Sequence, residues 1–104
     1  IDCSSGGNSS TQTLTPFPGY QVQFSARIRS EAGVTTGAVG LITDAVQAEK
    51  ILYDGEADVI LLARELLRNP YWPIQAQTEL DGSATWPDQY KRVAELRNYL
   101  APPR

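Results

Sequence analysis

The sequence contains no histidine and a single cysteine, Cys3. Without histidine, the chain has no imidazole acid or base and no imidazole ligand for a metal. Without a second cysteine, it can form neither an internal disulfide nor a cysteine cluster that holds a metal. We therefore expect no metal site, and a reducing compartment, the cytoplasm, as the location of the chain.

Long apolar runs and an excess of positive charge are also absent. No stretch approaches the ~20 apolar residues that cross a bilayer, and the N-terminus has no basic, apolar leader of the signal-peptide type. A net charge of -3 disfavours a nucleic-acid-binding protein. The 104 residues suit at most one small domain. The chain opens at Ile1 on what reads as a strand end, which suggests a piece of a larger protein, a processed chain or an engineered split.

Short apolar segments alternate with amphipathic segments along the chain. Strands that alternate with helices predict an α/β fold with right-handed crossovers and a parallel sheet. The third strand is almost wholly apolar, which is typical of a strand buried on both faces. The predicted strands are residues 1–3, 36–42 and 59–62, and the predicted helices are residues 19–32, 45–54, 69–80 and 88–100, with a tail at 101–104.

Residues that cap helices support this division. Gly33 suits the end of the first helix, and Thr43 or Asp44 suits the start of the second. Pro70 is well placed in the first turn of the third helix. Three parallel strands would leave both outer edges unpaired, so we expect more protein on at least one side of the sheet.

Residues 59–73, VILLARELLRNPYWP, carry the most direct functional signal. The strand in this segment ends in a small residue and a cation, Ala63 and Arg64, just before a helical turn. That arrangement is typical of a phosphate-binding edge in a protein built from β/α units. The Arg64 guanidinium could bind a phosphate bidentately, or it could form an ordinary surface salt bridge.

Two glycines, Gly37 and Gly40, lie one β/α unit before Arg64. They could expose backbone N–H groups to a phosphate, or they could permit close packing of a helix on a strand. In eight-stranded α/β barrels, the loops after the seventh and eighth strands often build the phosphate site. Near the C-terminus, Arg92 belongs to a polar cluster whose ordinary interpretation is a solvated helix face.

Three segments in this order and spacing resemble the last third of an old yellow enzyme: IDCSSGG, PGYQVQFSARIRSEAGVTTGAVGLIT and DVILLARELLRNPYWP. The resemblance is to the bacterial, thermophilic-like branch of these flavin ene-reductases. It implies that residues 1–92 form the C-terminal segment of an FMN-binding (β/α)8 TIM barrel, comprising strands six to eight with their helices. Residues 93–104 would then be a C-terminal helical extension and tail.

The resemblance also implies a chemistry and a set of binding residues. In this family NADPH or NADH reduces FMN, and hydride from the flavin N5 passes to the β-carbon of an activated alkene such as an enone, with a proton added at the α-carbon. Gly40, Ala63 and Arg64 are the implied contacts of the FMN phosphate, with Ala63 standing where the family often has glycine. Arg92 matches an arginine that reaches the substrate site of a neighbouring subunit.

The resemblance places the family's proton donor and substrate-anchoring residues upstream, so we expect no catalytic residue in this chain. We expect the chain to be inactive without the N-terminal portion of the barrel, supplied by the same protein or a second chain, and the complete enzyme to be a homo-oligomer. Two alternatives remain open. The chain could be a non-catalytic α/β fragment that self-associates, or a piece of another phosphate-binding barrel, such as a sugar-phosphate enzyme.

Overall fold

A computed structural model describes residues 1–92, and in this range the chain is an α/β unit with one three-stranded parallel sheet. The strands β1 (Asp2–Cys3), β2 (Gly37–Val39) and β3 (Val59–Leu61) lie side by side in chain order. Ala38 pairs with Cys3 on one side and with Ile60 on the other. The predicted α/β class and parallel sheet are confirmed.

Four helices connect and follow the strands in the described residues. They are α1 (Val22–Ala32), α2 (Ala45–Tyr53), α3 (Arg64–Arg68) and α4 (Trp72–Asp81), and a 3-10 turn follows at Asp88–Tyr90. The predicted helix over 88–100 begins with this turn, whereas its part beyond residue 92 and the predicted tail lie outside the described residues. No helix within residues 1–92 is long and apolar enough to cross a membrane.

The capping residues explain where the helices begin and end. The Gly33 N–H donates to the Arg29 carbonyl at 3.1 Å with φ 64°, and the Asp44 carboxylate accepts from the Gln47 N–H at 3.0 Å. Both predicted caps are confirmed. The predicted start of the third long helix at 69–70 is too early, because the Asn69 side chain accepts from the Tyr71 N–H in a turn of its own.

The core lies between one face of the sheet and the helices. Right-handed crossovers between neighbouring parallel strands place α1 and α2 on the same face. Ala38 is fully buried there, and small residues at such positions let the helices approach the sheet closely. Burial of Ile51 stabilises the fold by about 1.5–3 kcal/mol. The buried cluster comprises Val22, Ala38, Ile42, Ala48, Ile51 and Ala57.

The opposite face of the sheet is apolar but poorly covered. A Cβ built on Gly37 would meet Leu61 Cδ1 at 2.9 Å and Val59 Cγ2 at 3.2 Å, so these two side chains lie over the glycine. Val59 is nevertheless 49% exposed and Leu61 is half-buried. The prediction that the third strand is buried on both faces is wrong within residues 1–92, because no described segment covers the face of β3 that carries Val59 and Leu61.

The Asp58 carboxylate joins several elements at the edge of the sheet where the strands begin. The Asp58 side chain accepts from the Thr36 N–H at 2.9 Å and from Arg29 Nε at 3.1 Å. The Thr36 N–H, together with the Arg29 guanidinium, lowers the pKa of Asp58. Arg29 also donates to the Gly55 carbonyl at 3.0 Å. These bonds join the end of α1 to the starts of β2 and β3.

Candidate functional site

A cavity of about 310 Å³ opens at the carboxyl edge of the sheet. The chain leaves all three parallel strands at this edge, so segments far apart in sequence meet there. Its walls include residues 4–5, 39–43 and 61–65, together with Tyr20 and Gln21 before α1 and Arg68 of α3. The structure thereby brings together three residues that the sequence predicted as a phosphate site, Gly40, Ala63 and Arg64.

The turn after β2 has an unusual backbone conformation. Gly40 has φ 111° and Leu41 has φ 49°, and Leu41 is the one non-glycine residue with positive φ in the described part of the chain. The Leu41 carbonyl accepts from the Gly19 N–H at 3.3 Å and from Gln47 Nε2 at 3.1 Å, which hold the turn in place. Strained turns of this kind cluster at ligand sites, and consecutive N–H groups in left-handed turns can form concave anion-binding surfaces.

Gly40 is also required by its close neighbours. A Cβ at this position would lie 2.6 Å from Gln21 Nε2 and 2.8 Å from Tyr20 Cε1. Both distances are shorter than real Cβ contacts, and its positive φ disfavours any side chain. Gln21 and Tyr20 therefore fill the space that a side chain at Gly40 would take, and Gly40 contributes backbone alone to the cavity wall.

Ala63 and Arg64 form the wall at the end of β3. Ala63, which stands where the family of the resemblance often has glycine, has a negative φ of -113°, so the positive φ that favours glycine is not needed at this position. The α3 helix that follows has five residues, too few for its dipole to contribute much charge. The positive charge at this edge therefore comes from side chains.

Two arginines line the cavity, and their surroundings differ. Arg68 Nη2 pairs with Glu65 Oε2 at 2.6 Å, so its charge is already compensated. Arg64 is exposed, and no carboxylate among residues 1–92 forms an ion pair with it. Arg64 is therefore the guanidinium available to bind an anionic ligand bidentately.

Gln21 belongs to the site although the sequence did not indicate it. Gln21 is buried at 3% exposure, and its side chain contacts the segment after β1 and the last residue of β2. The bond partners are Ser5 and Val39, which lie 16 and 18 residues away in sequence. A glutamine just before a helix carries no signal that would distinguish this role, so only the tertiary structure could find it.

Arg92 does not join this cavity. It is exposed and lies in the helical turn that follows Asp88–Tyr90. An aromatic cluster holds that segment against the start of α4: the Tyr71 ring centroid lies 6.3 Å from that of Trp86 and 6.1 Å from that of Tyr90. The structure thus separates the predicted phosphate residues from the predicted substrate residue.

These features define an α/β unit with a cavity at the carboxyl edge of its parallel sheet, lined by Gly40, Ala63 and Arg64. Residues 6–82 match the NADH:flavin oxidoreductase / NADH oxidase family. The chain belongs to this family. The membership confirms the resemblance seen in the sequence and, at the level of the family, the predicted cofactors: FMN, with NADH or NADPH as its reductant.

Individual relatives agree with the family match. The chain is 53% identical to an NADPH dehydrogenase of Halalkalibacterium halodurans over 93 residues, which is 89% of this chain and 27% of that protein. It is 52% identical to the NADPH dehydrogenases of Geobacillus thermodenitrificans and Bacillus licheniformis over 92 and 93 residues. The chain thus spans 27% of the length of these relatives. The match favours the flavin family over a sugar-phosphate enzyme.

Proposed function

We propose that this chain is the C-terminal portion of an FMN-dependent ene-reductase, in which it binds the phosphate of the flavin. The complete protein would reduce the C=C bond of an activated alkene such as an enone at the expense of NADPH or NADH. FMN, when bound, supplies the hydride for that reduction. The residues described here bind and orient the cofactor, and the predicted proton donor lies outside this chain. A cytoplasmic location belongs to the same proposal.

The sheet supports the barrel part of this proposal. Within residues 1–92, β1 and β3 each have one unpaired edge, and β2 lies between them. Helices cover one face, while Val59 and Leu61 leave apolar surface on the other. In a (β/α)8 barrel, helices lie outside, further strands continue both edges, and such side chains fill the interior. We propose that these are strands six to eight, completed by the N-terminal portion of the same protein or a second chain.

The observation that carries the proposal is that Gly40 and Arg64 line one cavity. Gly40 offers bare backbone in a left-handed turn, and Arg64 offers a guanidinium without a described ion-pair partner. Bidentate guanidinium bonds and backbone N–H groups are the donors that phosphate groups prefer in proteins. The residues present therefore fit the phosphate end of FMN, with Ala63 contributing its backbone.

Arg92 has a separate place in the proposal. It is exposed and lies away from the phosphate cavity. An arginine at an exposed, aromatic-anchored segment is suited to reach into a neighbouring molecule. We propose that it contacts the alkene substrate across a subunit interface of the homo-oligomeric enzyme.

The proposal is tested with the full-length protein that carries this chain. We expect the purified protein to show flavin absorbance bands, to release FMN on denaturation, and to oxidise NADPH faster when an enone such as cyclohexenone is added. A folded full-length protein that binds no flavin would contradict the phosphate site. A protein that binds FMN but never reduces an enone would contradict the ene-reductase activity alone.

A further inference from the structure

Gln21 is a buried polar residue that bridges two walls of the cavity. The residue is 3% exposed, although its side chain carries two polar atoms. Oε1 accepts from the Ser5 N–H at 2.5 Å and from Ser5 Oγ at 3.1 Å. Nε2 donates to the Val39 carbonyl at 2.9 Å. One amide thus joins the segment after β1 to the end of β2.

The orientation of this amide follows from the chemistry of its partners. A backbone N–H can only donate, so the atom facing Ser5 must be the oxygen. A backbone carbonyl can only accept, so the atom facing Val39 must be the nitrogen. Glutamine satisfies both partners at once, whereas glutamate cannot do so when ionised because it has no donor.

The same nitrogen lies against the cavity wall at Gly40. Gln21 Nε2 is 2.6 Å from the position that a Cβ on Gly40 would take, so the amide packs directly on the glycine backbone. Arg64 lines the same cavity. A shift of the Gln21 amide would therefore change where the Gly40 backbone stands relative to Arg64.

We propose that Gln21 is a positioning residue for the flavin phosphate. By holding Ser5 and Val39 at a fixed separation, its amide sets the Gly40 turn at the distance that a phosphate bound to Arg64 requires. The inference rests on the proposed function and adds to it a residue that need not touch the cofactor. Its neutrality matters equally, because a carboxylate in this wall would repel a phosphate dianion.

The experiment compares FMN with riboflavin, which has the same ring system but no phosphate. Dissociation constants of both flavins are measured for the apo form of the full-length protein, the Gln21→Glu variant and the Gln21→Met variant. We expect Gln21→Glu to weaken FMN binding by about tenfold or more and to leave riboflavin binding nearly unchanged. Gln21→Met, which is uncharged and of similar length, should weaken FMN binding by a smaller factor.

Gln23→Glu is the matched control, because it introduces the same charge two residues away on the exposed surface of α1. It should leave the ratio of the two dissociation constants unchanged. Riboflavin binding shows that a variant is folded. If the Gln21→Glu variant binds neither flavin, the Gln21→Met variant is used to test the inference. Equal losses for both flavins in Gln21→Met, or no loss for FMN in either variant, would overturn the inference. If the unaltered protein itself binds FMN no better than riboflavin, the proposed phosphate site fails instead.

Discussion

The side-chain nitrogen of Gln21 lies 2.6 Å from the point where a Cβ on Gly40 would stand. The two residues therefore form one wall: the glycine supplies bare backbone, and the glutamine packs behind it and ties it to Ser5. Since Gly40 also has φ 111°, both the close side chains and the backbone conformation disfavour a side chain at this position.

Replacement of Gly40 by alanine tests this wall. We expect Gly40→Ala to displace Gln21 and Tyr20, because the new methyl would lie within 2.8 Å of both side chains. The displacement and the unfavourable φ should cost roughly 1–3 kcal/mol of stability and should weaken FMN binding by about tenfold or more. Flavin titration and urea unfolding of the full-length protein measure the two effects.

Gly33→Ala is the matched control for the cost of placing a side chain on a residue with positive φ. Gly33 also has positive φ, 64°, but a Cβ built there meets nothing within 4 Å. We expect a loss of about 1 kcal/mol and unchanged flavin affinity. An equal loss of flavin affinity in both variants would mean that Gly40 has no special part in the site.

The proposed role of Arg92 predicts an effect on substrate binding and no effect on flavin binding. If Arg92 contacts the alkene across a subunit interface, Arg92→Ala should raise the KM for an enone by about tenfold while flavin content stays the same. Lys91→Ala is the control, because Lys91 is the neighbouring cation and already pairs with Asp88 at 2.6 Å. A rise in KM of the same size in both variants would contradict the specific role of Arg92.

The Asp58 carboxylate makes stability depend on pH at the amino edge of the sheet. The Thr36 N–H and the Arg29 guanidinium lower the pKa of Asp58 in the folded state. The folded pKa therefore lies below the value of about 3.9 that the carboxyl has in the unfolded chain. Between these two values the unfolded state binds more protons, so stability rises with pH there. The contribution is present above about pH 4 and is lost as the pH falls through the folded pKa.

Asp58→Asn should therefore make the free energy of unfolding fall less steeply as the pH is lowered into the acid range. We expect urea midpoints of the full-length protein, measured from about pH 2 to pH 7, to fall less steeply in the variant at acid pH. Arg29→Met should keep part of the slope, because the Thr36 N–H is the larger cause of the shift. An acid limb of unchanged slope in Asp58→Asn would contradict the assignment.

The sequence predicted those features that depend on local rules. The alternation of apolar and amphipathic segments predicted the parallel sheet, and the chemistry of Gly33 and Asp44 predicted two helix ends. Gly40 and Arg64 could be predicted as one site, because the carboxyl ends of parallel strands share one edge. Each of these predictions needs only neighbouring residues or the direction of a strand.

Other features depend on tertiary neighbours, and the sequence could not predict them. The apolar run of β3 predicted burial on both faces. Val59 is nevertheless half exposed, because the burial of a face depends on which segments pack over it. The helix α4 begins at Trp72 because the Asn69 side chain forms a turn with the Tyr71 N–H. The preference of proline for the first turn of a helix does not show whether such a turn comes first. Gln21 is buried only because Ser5 and Val39 approach it in space.

The central claim is that Arg64 binds the phosphate of FMN. The most direct measurement is the ratio of the riboflavin and FMN dissociation constants in the full-length protein and in its Arg64→Ala variant, with Arg27→Ala, an exposed arginine on α1, as control. A charge-assisted bidentate contact is worth about 1.5–3 kcal/mol, so we expect Arg64→Ala to lower this ratio roughly 10- to 150-fold and Arg27→Ala to leave it unchanged. An unchanged ratio in Arg64→Ala would contradict the claim.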